Sequence, residues 1–177
     1  KPLPWWFRPG FKYRGLYFQT NPGSKQSMKR VVHMQADLNM AFLFDQDQKY
    51  IAVFSYGFYP VPQNLRNDPN KPSEMLSREH YVRWMKNDNL TWFFGLMDKA
   101  YGIRMVDHTA YSRSKVGVAQ NDQTYGVMAI IKKEPWEFTP HVFAGNLSQP
   151  SDLRQKGFSF MAEKDMHQYF RLGGSVM

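Results

Sequence analysis

The chain has no cysteine in its 177 residues. That removes disulfides, cysteine-based zinc sites, iron–sulfur clusters and covalently attached haem. It leaves the compartment open, because a cysteine-free protein is at home in either redox environment. Long apolar runs are missing too, and no stretch approaches the roughly 18 to 20 residues of a transmembrane helix. No secretory leader is visible. The opening Lys1-Pro2-Leu3-Pro4-Trp5-Trp6-Phe7 reads as a processed or trimmed amino terminus.

Chemistry-bearing motifs are equally scarce. Neither Gly-x4-Gly-Lys nor Gly-x-Gly-x-x-Gly occurs, so no phosphate cradle is expected. No Gly-x-Ser-x-Gly elbow presents a nucleophile, although Asp107-His108 could orient one. The five histidines, His33, His80, His108, His141 and His167, form no pair at ligand spacing. The expectation is a protein that is not an enzyme, with no metal and no cofactor. The formal charge of +8 would suit nucleic acid. The basic residues are scattered, however, with only short pairs such as Lys29-Arg30 and Lys132-Lys133. They read as a diffuse positive surface, and no nucleic-acid partner is expected.

What the chain does have is aromatic residues, at 16%, combined with a mean hydropathy of −0.59. A membrane barrel reconciles the two, since one face is apolar while the lumen is wet. The clearest segment runs from Val31 to Phe44. Val32, Met34, Ala36, Leu38, Met40, Phe42 and Phe44 alternate with a set that includes His33, Gln35, Asp37 and Asn39. Period-2 alternation puts the two sets on opposite faces of a strand. At about 3.3 Å per residue the segment is longer than most soluble strands, and ample for a tilted membrane strand of about 9 to 11 residues.

Further strands are expected at Lys12–Thr20, Tyr50–Tyr59, Arg78–Lys86, Leu90–Met97, Gln123–Lys132, Trp136–Gly145, Gly157–Glu163 and Gln168–Met177. In the Leu90–Met97 strand, Leu90, Trp92, Phe94 and Leu96 share a face. In the Trp136 strand, Trp136, Phe138, Val142 and Ala144 oppose Glu137, Thr139 and His141, and Pro140 implies a bulge or an edge. The connections alternate long and short along the chain, as short periplasmic turns and longer outer loops do. This predicts an all-β fold, a transmembrane antiparallel up-and-down β-barrel with about nine strands visible and the barrel incomplete. Residues 1–11 would form a periplasmic N-terminal segment and 12–177 the barrel. An odd strand count implies either that the polypeptide continues past Met177 or that another chain completes the sheet.

The segment from Gly95 to Arg113 resembles one found in bacterial porin-like barrels. There, a strand ends in a glycine-bearing motif followed by an aromatic–glycine pair before a long loop. The matching residues are Gly95, Tyr101-Gly102, Asp107-His108-Thr109 and Arg113. The likeness is greatest to porin-like proteins whose genes lie among those of multihaem cytochromes. Leu96 and Met97 stand where many porins carry an arginine and an aromatic, which departs from the pattern of a pore-lining strand.

The resemblance implies a bacterial outer-membrane location and a long loop folded into the lumen. Arg104, Asp107, His108 and Arg113 would form its constriction and set ion preference; the plainer reading is a loop held by an Arg–Asp pair. Val32, Met34, Leu38, Met40, Phe42, Trp92 and Phe94 would face lipid. His33, Gln35, Asp37, Asn39, Glu137, Thr139 and His141 would face the lumen, either as a pore wall or as hydrogen bonds filling a small barrel. Trp5, Trp6, Trp84, Trp92 and Trp136 suit interface girdles. The expected partners are outer-membrane lipid and a protein in the lumen or completing the sheet. The competing reading is a soluble β-rich module that binds nucleic acid or glycan through charge and exposed aromatics.

Overall fold

In the computed structural model, period-2 alternation becomes one continuous antiparallel sheet. The structure describes residues 3–20, 28–60, 73–102, 123–147, 151, 154–167 and 170–177. The strands are β1 (Phe7–Thr20), β2 (Met28–Leu43), β3 (Tyr50–Pro60), β4 (Ser73–Asn87), β5 (Leu90–Met97), β6 (Thr124–Lys133), β7 (Trp136–Phe143), β8 (Gly157–His167) and β9 (Phe170–Val176). Each pairs with its sequence neighbour, in the order β1 to β9. The all-β, up-and-down order expected from the sequence is therefore present. Closure is not: β1 and β9 are the two edges of an open sheet among the described residues.

The sequence reading is corrected at two prolines, and β4 also begins earlier than expected, at Ser73 rather than Arg78. β1 starts at Phe7 rather than Lys12, so residues 7–11 belong to the sheet and not to a separate segment. Pro9 pairs with Met40 and Gly10 with Asn39. An edge strand tolerates a proline because only one of its sides needs ladder donors. Pro140 is neither at an edge nor in a bulge. It lies in β7, paired with Phe160 of β8, while the β6–β7 register steps from Met128↔His141 to Ile131↔Phe138 without shifting. The missing donor costs a local lapse in one ladder.

All connections at one end of the sheet are short: 44–49, 88–89, 134–135 and 168–169. Those at the other end, 21–27, 61–72, 98–123 and 144–156, are longer. The first short turn is held by Asp45, whose carboxylate accepts from Tyr50 N at 2.8 Å and Lys49 N at 2.9 Å.

Register carries the alternation from strand to strand. On one face, Asp37 lies opposite Gly57, Asn39 opposite Ser55, Thr139 opposite Met161 and His141 opposite Ser159. On the other, Leu38 lies opposite Tyr56, Met40 opposite Phe54, Trp84 opposite Trp92 and Val142 opposite Phe158. The small apolar core of Met97, Ala100 and Met128, with Tyr81 and Phe93 against it, sits on the polar face where the chain leaves β5.

Candidate functional site: the polar face and its strap

The polar face is the buried one. Asp37 is 3% exposed and His141 1%, with Gln35, Ser55, Thr139 and Ser159 similarly enclosed. The aromatic and aliphatic face is largely open, with Val142 64% and Phe158 62% exposed, although Leu96 at the end of β5 is fully buried. A half-buried soluble sheet does the reverse.

Two charged clusters occupy this face. In the first, Arg78 Nη1 donates to Asp37 Oδ2 at 3.3 Å, and Gln35 Nε2 donates to the same oxygen. Both charges are withdrawn from solvent. A β-bulge makes the contact: Ser55 pairs with Glu79 and Tyr56 with Ser77, leaving Arg78 as the extra residue of β4. A bulge re-aims a side chain that simple alternation would send elsewhere. Asp37 Oδ1 is buried without a partner among the described residues, a position that suits an ordered water. Beside the pair, Ser55 Oγ donates to Asn39 Oδ1 at 2.7 Å.

The second cluster lies across β7, β8 and β9. Arg171 meets Asp165 at 2.7 Å, Glu163 at 3.2 Å and Glu137 at 4.0 Å. Its side chain is 44% exposed, so water shares the work of solvating these charges.

Between the clusters, the chain leaving β5 crosses the polar face as a strap. Ala100 N donates to His141 Nδ1 at 3.3 Å, and Gly102 N donates to Ser175 Oγ at 2.9 Å. Lys99 Nζ donates to Gln155 Oε1 and lies 5.6 Å from the Phe143 ring centroid. Gln123 Nε2 donates to Asp98 Oδ1 at 3.1 Å. Residues 98–102 thereby reach from β5 to β9. Gly102 turns the strap at φ 62°, a left-handed conformation that glycine adopts without steric cost. Gly95 has φ 137°, and a Cβ there would meet His80 O at 2.1 Å, so the strand before the strap also requires glycine.

Gln35, Asp37, Asn39, Glu137, Thr139 and His141 thus lie on one enclosed face. Leu38 and Phe94 are exposed on the other, while Met40, Phe42 and Trp92 are half-buried there. The side chains of Val32, His33 and Met34, and the loop residues Arg104, Asp107, His108 and Arg113, lie outside the described residues. Sequence reasoning missed Ser55, Arg78 and Ser159. Ser159 was legible, since it stands between Phe158 and Phe160 in an alternating strand. Arg78 was not, because its direction depends on a bulge set by pairing with β3.

No known protein family, curated protein or solved structure matches the chain. No family is assigned.

Proposed function

We propose that this chain forms part of an outer-membrane β-barrel, a porin-like channel or a sheath around a partner protein. Its aromatic face would lie in lipid and its polar face would line the lumen. The observation that carries this reading is the reversed burial. In water, each Å² of exposed apolar surface forgoes about 25 cal/mol of burial. In lipid the same surface is solvated, and polar groups are best enclosed.

Three features add support. β1 to β4 have 14, 16, 11 and 15 residues, enough for the about 9 to 11 that a tilted membrane strand needs. Trp84, Trp92 and Trp136 lie toward the short-turn end, and Trp5 and Trp6 precede β1 at that end, where a headgroup girdle would sit. The strap lies where an inward loop would narrow the lumen.

Antiparallel closure would need a further strand, since β1 and β9 run in the same direction. The test is behaviour in detergent: the reading expects heat-modifiable migration on a gel and solubility only with detergent or lipid. A monodisperse protein in plain buffer contradicts it. Conductance across liposomes then separates an open channel from a filled sheath.

A further inference from the structure

The apolar face is not uniform. At its short-turn margin, Lys133 of β6, Trp136 of β7 and Lys164 of β8 lie side by side in one cross-strand row. The Lys164 ammonium sits 5.2 Å from the Trp136 ring centroid. Neither lysine forms an ion pair among the described residues. The carboxylates beside Lys164 in sequence, Glu163 and Asp165, are both engaged by Arg171. Among the described residues, two lysines without an ion pair therefore flank one indole.

Next to this row an apolar groove of about 570 Å³ opens between β8 and β9, lined by Trp136, Phe160, Ala162, Leu172 and Val176 with Lys164 at its head. Trp136 stacks on Phe138, and Phe138 on Phe160, giving one wall of rings. Gly174 leaves the groove open: a Cβ there would meet no atom within 4 Å. A paired cationic head, an amphipathic ring and an apolar trough match the parts of one molecule in order.

We infer that the β6–β9 outer margin is a binding site for an acidic glycerophospholipid. Its phosphate lies between Lys133 and Lys164, its glycerol backbone lies against Trp136, and one acyl chain lies along the β8–β9 groove. Charge complementarity selects the occupant, since two unpaired ammoniums at headgroup depth attract anionic over zwitterionic lipid. The inference rests on the membrane reading above.

The experiment refolds the full chain into phosphatidylcholine vesicles containing a minor fraction of bromine-labelled lipid. The label is carried by either phosphatidylglycerol or phosphatidylcholine, and the Trp136 contribution to tryptophan quenching is isolated against Trp136→Phe. The labelled phosphatidylglycerol is expected to associate roughly tenfold more strongly than labelled phosphatidylcholine, as two interfacial lysines allow. The preference should fall to within about twofold in Lys133→Gln/Lys164→Gln. Gly174→Leu, whose Cβ would meet no atom within 4 Å, places a side chain in the groove and should weaken association of both lipids. Lys49→Gln/Lys86→Gln removes the same charge elsewhere at this end and should leave the preference intact. Equal association in the wild type, or equal loss in the Lys49/Lys86 control, overturns the site while leaving the membrane reading standing. Failure to insert into phosphatidylcholine vesicles at all overturns both.

Discussion

The Asp37–Arg78 pair and the Arg171 cluster occupy the same face of the same sheet, yet they solve opposite electrostatic problems. Asp37 and Arg78 are nearly sealed from water and held in direct contact, and the carboxylate is further served by Gln35. Arg171 serves three carboxylates at once from a half-exposed position on an edge strand. Two charges removed from water need close matching, since each loses several kcal/mol of hydration. At the rim, solvent screens the excess negative charge, and stoichiometry can be loose. The difference shows that one sheet face can be a sealed interior at β2–β4 and a wet margin at β8–β9.

Arg78→Ala should break the comparison hardest. Leaving Asp37 buried without its cation is expected to cost about 3–5 kcal/mol, measured by denaturant unfolding of the refolded protein. The double variant Arg78→Met/Asp37→Leu should recover most of that loss. If the single variant costs no more than a surface substitution, the site is wet and the contrast collapses.

The contrast between faces is tested on adjacent residues of β2. Leu38→Arg, on the open face, is expected to cost about 2 to 4 kcal/mol in a bilayer if it lies near midplane. Asn39→Arg, on the enclosed polar face, should cost less. Equal losses in refolding would contradict the facing proposed for the lumen and lipid.

Arg171→Ala should have a smaller effect, about 0–1 kcal/mol, shrinking further as salt is raised. A loss as large as that of Arg78→Ala would mean the β9 margin is covered in the intact protein.

The smallest effect concerns the first short turn, outside the sheet. Hydrogen bonds donated by Tyr50 N, and then by Lys49 N, hold the Asp45 carboxyl below its ordinary pKa. A depressed folded-state value stabilises the fold above the ordinary carboxylate range. That contribution is lost as pH falls through the lowered value. Asp45→Ala should therefore lower the unfolding midpoint slightly at neutral pH, and its difference from the wild type should vanish as pH falls through the lowered value.

Much of this was open to reading from residue order. Alternation of a two-residue period placed all nine strands, and it separated Asp37 from Leu38 and His141 from Val142. The short and long connections came out in sequence because turn residues such as those at 45–48 and 133–135 interrupt apolar periodicity. Prolines misled in both directions. Pro9 hid the start of β1, and Pro140 suggested a bulge where the ladder only lapses. In each case the outcome depends on which neighbour is paired, and pairing is not a local property.

By itself, then, the sequence determined that this chain is an antiparallel meander with one polar and one aromatic face. Side-chain period and turn chemistry act over a few residues and need no distant partner. Only the tertiary structure decided that the polar face is the enclosed one, that a bulge turns Arg78 onto Asp37, and that residues 98–102 cross to His141 and Ser175. It also decided that the sheet stands open between β1 and β9. Those facts depend on register between strands far apart in the chain, where a shift of one residue would send every side chain to the opposite face.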